Sequence, residues 1–346
     1  MKELLWPLWF LYYCVIDLHR VKTGYRHFLE TGENSDRSYQ SLIRLFCSTS
    51  GRSNDWMSRD ISRRNPPRKF STSKGILGDL TEADLSKITQ NLDTKGFHIF
   101  QARLPQELCR QLLDYSTTQA GLMRPMDGEK ESRVELAVYD RRAPRSVRYD
   151  FTQAMLLESP QVQSILADTS VLSVAQSYLR ALPVADVLAM WWHTAFSKVP
   201  DAEAAQFYHF DMDRVKWLKF FIYLTDTSNV NGPHCFISGS HRTRGMPWAI
   251  RKRGAAFRFT DEEVAEHYSS QKFIEFNAPA GTIIAEDTRG LHKGKHVLSG
   301  DRLMLQFQFS NSLFGKDCPK TPIGKVVDQN LKNRIAEYPR IYSCFT

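Results

Sequence analysis

Residues 206–225 read QFYHFDMDRVKWLKFFIYLT, and this run decides the fold class. It contains two segments rich in aromatic and β-branched residues, Gln206–Asp211 and Trp217–Thr225, and these predict two β-strands. Further strands, separated by glycine-containing turns, are predicted at Leu188–Lys198, Cys235–Ser238, Phe273–Phe276, Thr282–Ala285 and Leu303–Ser310. The chain after Pro183 is therefore expected to be β-rich.

Helical patterns precede these strands. One helix is expected to begin at Thr81, with Asp84 three residues on as a capping-box partner, and another at Pro105. Residues 160–182 form a further helical pattern, and a short strand is expected at Gly96–Phe100. Helices followed by many short strands predict a mainly β fold with flanking α, a sandwich or barrel beside a helical scaffold.

The triplet His209-Phe210-Asp211 places two metal-ligand side chains two residues apart. On a strand, residues i and i+2 point to the same face, so both side chains can aim into a barrel interior. One imidazole and one carboxylate are two of the three ligands of a non-haem iron facial triad, although such a site also binds zinc, manganese or nickel. The third ligand is expected from a distant strand.

Several downstream histidines are candidates for the third ligand: His234, His241, His267, His292 and His296. His292 has the best context, because it follows a strand and a tight turn, and Arg302 opens the next strand ten residues later. An arginine beside such a site offers a bidentate fork for the distal carboxylate of a bound keto-diacid.

Four segments together resemble the phytanoyl-CoA dioxygenase-like (PhyH) family of iron(II)/2-oxoglutarate-dependent oxygenases. They are HFDMDRVKWLKFFIYLTD (209–226), NGPHCFISGSHR (231–242), AEDTRGLHKGKHV (285–297) and DRLMLQFQF (301–309). The likeness covers roughly residues 90–315. It implies a double-stranded β-helix (jelly-roll, cupin-like) core with a helical scaffold.

The resemblance also implies roles for individual residues. His209, Asp211 and His292 would be the iron(II) ligands, and Arg302 would pair with the C5 carboxylate of the cosubstrate 2-oxoglutarate. Dioxygen would be consumed, succinate and CO2 released, and a small-molecule or acyl substrate hydroxylated. Because Asp211 is present, the sequence departs from related halogenating enzymes, in which a small residue replaces the carboxylate ligand.

Two further residues are expected to contact the cosubstrate because of their places beside the ligand triplet. Gln206 flanks the predicted ligand strand, and Thr194 lies on the strand before it, where it shares a face with Trp192. The turn motifs Gly232-Pro233 and Gly239-Ser240-His241 are expected to be structural.

Charge and cysteine content bear on domains and location. Residues 1–75 hold 13 of the 46 lysines and arginines against 7 of the 38 acidic residues, so they form a basic accessory extension. The dioxygenase domain is expected at 76–320 and a C-terminal tail at 321–346. The six cysteines are scattered without C-x-x-C spacing, which favours reduced thiols and a cytoplasmic location.

The basic extension leaves two alternatives open. The apolar run Leu4–Ile16 is too short to span a bilayer comfortably and favours a helix packed on the protein or on a membrane surface. Nucleic-acid binding is not expected, because no reader motif is present. The alternatives to an enzyme are a silent module that binds metal and 2-oxoglutarate, or an interaction protein acting through residues 1–75. Substrate identity and oligomeric state are not readable from the sequence.

Overall fold

The computed structural model describes residues 2–124, 135–317 and 320–346, with side chains from residue 14 onward. The α-helices are α1 (Lys2–Thr31), α2 (Asp36–Thr49), α3 (Arg52–Arg64), α4 (Glu82–Lys95), α5 (Gln106–Thr118), α6 (Gln153–Glu158), α7 (Pro160–Leu166), α8 (Thr169–Leu179), α9 (Trp248–Arg251), α10 (Asp261–Ala265) and α11 (Gln329–Glu337). A 3-10 helix covers Ser270–Lys272.

Of the thirteen described strands, seven follow α8, where the sequence predicts a β-rich region, and six precede it, of which the sequence predicts only one. They are β1 (Lys74–Gly75), β2 (Gly78–Asp79), β3 (Phe97–Arg103), β4 (Ala120–Met123), β5 (Leu136–Val138), β6 (Arg148–Phe151), β7 (Val184–Thr194), β8 (Trp217–Tyr223), β9 (His234–Ile237), β10 (Phe273–Glu275), β11 (Thr282–Glu286), β12 (His292–Gly294) and β13 (Asp301–Ser310).

Two antiparallel sheets form the core. The larger has eight strands in the order β3-β11-β8-β13-β7-β6-β4-β5, and the smaller has the order β10-β9-β12. An aromatic cluster that includes Trp191 and Tyr223 of the larger sheet and Phe236 of the smaller one packs between them. Two sheets closed face to face in this way form the predicted double-stranded β-helix.

Alternation along each strand divides the larger sheet into two faces. On β8, Leu218 and Phe220 belong to the outer core, which packs against the flanking helices. Lys219 and Tyr223 point the other way, between the two sheets. Polar side chains such as Lys219 therefore lie inside the β-helix, between the two sheets.

Segments at both ends of the chain contact this core. Leu45 of α2 and Met57 of α3 share a buried cluster with Val215 and Phe314. Near the C-terminus, Tyr342 is fully buried in the outer core. No helix among the described residues combines the length and the apolar character needed to cross a membrane. The side chains of residues 1–13, which include most of the predicted apolar run, lie outside the described part.

Local predictions are mostly confirmed, with two corrections. The Thr81–Asp84 capping box is present at the start of α4. The expected helix over 160–182 is two helices, because Asp168 accepts a hydrogen bond from the Val171 amide and caps α8. Residues 206–211 are not a regular strand. They pair only through isolated bridges, including the bridge between His209 and His292.

Candidate metal centre

The backbones of His209 and His292 form the frame of the site. The His209 amide donates to the His292 carbonyl at 3.0 Å, and the His292 amide donates to the His209 carbonyl at 2.9 Å. Residues directly opposite each other in an antiparallel bridge project their side chains to the same face. The two imidazole rings consequently lie together, with centroids 4.3 Å apart.

Each imidazole has one nitrogen engaged and one left for a ligand. His209 Nδ1 donates to the Phe207 carbonyl at 3.0 Å, and His292 Nδ1 donates to the Gly290 carbonyl at 3.0 Å. Because the carbonyls only accept, the proton of each neutral ring lies on Nδ1. Both Nε2 lone pairs are then free, which is the arrangement of metal-bound histidines.

Asp211 completes the cluster. Its amide donates to the Thr288 carbonyl at 2.8 Å, in the loop that leads to His292. One carboxylate oxygen lies 3.9 Å from His209 Nε2, and the other lies 3.5 Å from His292 Nε2. One ligand atom from each of the three residues lies within 4.8 Å of the others, so a single ion fits among them.

The electrostatics keep the donors in the protonation states that a metal requires. Burial lowers the pKa of His292 to about 4 and holds that of His209 well below its usual range, so both rings are neutral. Burial raises the pKa of Asp211, but the Lys219 ammonium, which also donates a hydrogen bond to the carboxylate, is the largest effect that lowers it, and the pKa lies well below its usual range. Two neutral imidazoles and one carboxylate suit a divalent cation.

Arg302 lies on the inner face of β13, close to this cluster. Gly294 is two residues from His292 on β12, and a Cβ built on it would lie 3.0 Å from Arg302 Nη2. The guanidinium is fully buried, donates to the Gly232 carbonyl and has no carboxylate partner within the described chain. A buried cation with neutral partners only is the complement of an anionic ligand.

His193 of β7 is the cross-strand partner of Arg302 and was missed by the sequence reasoning. Arg302 Nη2 donates to His193 Nδ1 at 2.6 Å, so the proton of His193 lies on Nε2. His193 Nε2, Trp191 Nε1 and Arg302 Nε are buried, and none has a hydrogen-bond partner in the part of the chain that the structure describes. These donors on one inner face fit a carboxylate of 2-oxoglutarate.

The structure does not bring Thr194 to the cluster. Its hydroxyl donates to the Ser146 carbonyl at 2.6 Å, and alternation along β7 turns it away from the face of His193. From the sequence, Trp192 and Thr194 are expected to point toward the cosubstrate. In the structure, the side chains of β7 that point inward are those of Trp191 and His193. A shift of one residue reverses every side chain of a strand.

Gln206 is buried near the cluster but is engaged elsewhere. Its Oε1 accepts from the Asp201 amide at 2.8 Å and lies 3.3 Å from His296 Nδ1. Its Nε2 has no partner among the described residues, so contact with a ligand remains a prediction. His241 is not part of the cluster and lines a separate pocket.

The fold and the site together define a class of protein. A double-stranded β-helix with a His-x-Asp…His cluster and a buried arginine is the architecture of non-haem iron(II)/2-oxoglutarate-dependent oxygenases. Residues 101–304 match the family described as phytanoyl-CoA dioxygenase (PhyH). Because the match covers more than half of the chain, the protein belongs to the phytanoyl-CoA dioxygenase family, as the sequence motifs predict.

Several solved structures are similar in fold. The iron-bound structure of EctD from S. alaskensis has a TM-score of 0.47 and 14% identity, over 74% of this chain and 85% of that chain. The structure of HygX from Streptomyces hygroscopicus with nickel and 2-oxoglutarate has a TM-score of 0.47 and 15% identity. The match covers 69% of this chain and 91% of that chain. The search of curated proteins found no match.

Proposed function

We propose that the protein binds iron(II) through His209, Asp211 and His292, binds 2-oxoglutarate through Arg302, and hydroxylates a small-molecule or acyl substrate with release of succinate and CO2. The observation that carries the proposal is the combination of two features, a convergent donor set and a buried guanidinium next to the strand that carries one of the donors. Ligand atoms of three residues lie within 4.8 Å of one another. The Arg302 guanidinium, which has no carboxylate partner among the described residues, lies next to Gly294, two residues from His292.

The residues of this chain would divide the work as follows. When bound, iron(II) and 2-oxoglutarate activate dioxygen and supply the oxidant. The two imidazoles and Asp211 would hold the metal, and three protein ligands would leave room for the cosubstrate. Arg302 pairs with the C5 carboxylate, and the free Nε2–H of His193 is a second donor beside it. The buried strands around the site exclude water.

The test is a metabolite screen with the full-length protein, iron(II) and 2-oxoglutarate, measuring succinate and the mass of the organic product. We expect a substrate to stimulate succinate formation and to gain one oxygen atom. No succinate with any substrate class, despite bound iron and 2-oxoglutarate, would support the silent module instead. Succinate without oxygen in the product would refute hydroxylation and retain the cosubstrate assignment.

Arg302→Met separates cosubstrate binding from metal binding. Two charge-assisted hydrogen bonds contribute about 3 kcal/mol together, so 2-oxoglutarate affinity should fall about a hundredfold. Iron affinity should be unchanged, because the three metal ligands remain. Arg103→Met, on the exposed end of β3, is the matched control and should bind 2-oxoglutarate as the wild type does.

A further inference from the structure

A second pocket lies outside the β-helix interior. It has a volume of about 520 Å³ and is formed by α3, the end of α8, the segment after β9 and the β11–β12 loop. None of the three metal-cluster residues lines it, and neither does Arg302. Its chemistry is therefore independent of the metal centre, although Arg289 in its wall follows directly after Thr288, which binds the Asp211 amide.

Six of the fourteen residues that line the pocket are cationic, and they come from segments that are distant in the sequence. Its cations are Arg59, Arg63, Arg180, Lys216, Arg242 and Arg289. The carboxylates in the same lining are Asp55 and Asp93. Like charges brought together in one concavity destabilise the protein unless an anion offsets them.

The two carboxylates are already engaged. Asp55 accepts a hydrogen bond from the Thr243 hydroxyl at 2.6 Å and lies 3.4 Å from Arg289, and Asp93 lies 3.3 Å from Arg180. The remaining guanidinium groups have no such partner. Arg59, Arg63 and Arg242 form no ion pair with any residue that the structure describes.

Arg289 is the most buried cation of the pocket, and its guanidinium is paired with the buried Asp287 carboxylate. Lys216 is half-buried and has no such pair in the described part of the chain. Its Nζ donates to the Tyr178 carbonyl at 2.9 Å and lies 3.9 Å from the centre of the Tyr178 ring, and no carboxylate is in hydrogen-bond contact with it within the described residues. Burial, and then the charge of Arg289, lower the pKa of Lys216 to about 8. Asp287 and Asp93 offset this effect only in part, so an anion in the pocket would add to the countercharge of Lys216.

We propose that this pocket binds a small soluble ligand through a phosphate group. Forked guanidinium groups from α3 and from the segment after β9 match the oxygens of a tetrahedral anion, and the lysine adds a point charge at the wall. The concave shape favours a small molecule over an extended surface. The site would also give α3, in the basic extension, a binding role that the metal centre does not require.

Phosphate binding to the full-length protein tests the proposal without any turnover. Inorganic phosphate and pyrophosphate are titrated into metal-free protein in a phosphate-free buffer, and binding is measured by calorimetry. The double variant Arg59→Gln/Arg63→Gln should weaken binding at least tenfold. The control Arg103→Gln/Arg142→Gln removes the same charge from exposed positions outside the pocket and should bind as the wild type does.

A second variant keeps the test valid if the α3 double variant does not fold. Arg242→Gln changes an exposed side chain of the pocket, and it should weaken phosphate binding at least threefold with an unchanged circular dichroism spectrum. Absence of phosphate binding by the wild type, or equal losses in the pocket variants and the control, would overturn the proposal. Failure of the oxygenase assay would leave this result unaffected, because no iron is present.

Discussion

Lys219 Nζ lies 2.5 Å from Asp211 Oδ2, so the carboxylate of the candidate metal centre also belongs to a buried ion pair. Lys219 projects from the inner face of β8. Burial lowers its pKa, but Asp211 and then Asp213 outweigh this effect, and the pKa is raised. In the metal-free protein, Lys219 is therefore the counterion of a carboxylate that would otherwise be buried without one.

Lys219→Met should destabilise the metal-free protein by about 3 kcal/mol, because removing one partner of a buried pair leaves an uncompensated charge. Iron(II) should restore more stability to the variant than to the wild type, since the metal replaces the missing cation. Urea unfolding with and without iron(II) measures both effects. The control is Lys295→Met, which removes a more exposed ion pair with Glu275. It should lower the free energy of unfolding by less than about 1 kcal/mol. Equal costs would refute the counterion role.

Gly294→Ala tests whether Arg302 and the metal cluster share one cavity. The added Cβ would lie 3.0 Å from Arg302 Nη2 and 3.3 Å from His193 Cε1, so the guanidinium must shift. We expect about tenfold weaker 2-oxoglutarate binding, or roughly 1.4 kcal/mol, with iron affinity unchanged. Gly324→Ala, whose Cβ would meet only Glu158 at 3.6 Å, is the control. Unchanged 2-oxoglutarate affinity in Gly294→Ala would place the cosubstrate elsewhere.

His241→Gln should reduce the acid sensitivity of the fold. Burial, and after it the charge of Arg289, lower the pKa of His241 to about 4 despite Asp287, whereas an unfolded histidine titrates near about 6.5. Between about pH 6.5 and pH 4, the histidine is protonated in the unfolded state but not in the folded state. The free energy of unfolding therefore falls as the pH decreases through this range, by about 3 kcal/mol in total.

Urea unfolding at pH 7 and pH 4 measures this contribution. The difference in unfolding free energy between the two pH values should be about 3 kcal/mol smaller in His241→Gln than in the wild type. His19→Gln, at an exposed position of α1, is the control and should lose as much stability as the wild type. An equal loss in all three proteins would contradict the assignment.

Local pattern was sufficient for much of the fold and for selecting His209, Asp211 and His292, whose ligand atoms the structure brings together. His209 and Asp211 share one triplet. The strand and turn before His292 are readable from β-branched residues and glycines, and the strand that contains Arg302 is readable from its alternating Gln and Phe residues after a glycine turn. The Thr81 cap is equally local, because its two hydrogen bonds lie within four residues.

The missed features depend on contacts between distant segments. His193 is identified only by the β7–β13 register, which pairs it with Arg302 109 residues later. The face of β7 was misassigned because Trp191 and Trp192 are adjacent and equally apolar, so alternation alone did not select the inward one. Lys219 was missed for a similar reason, since its partner Asp211 lies on a segment that pairs irregularly.

Iron(II) binding is the most direct test of the central claim that His209, Asp211 and His292 form one metal site. Anaerobic titration of the wild type should give one iron(II) per chain, and His292→Ala and Asp211→Ala should each lose that binding while keeping a native circular dichroism spectrum. His267→Ala, an exposed histidine outside the cluster, should bind as the wild type does. Undiminished iron(II) binding by both His292→Ala and Asp211→Ala would contradict the account.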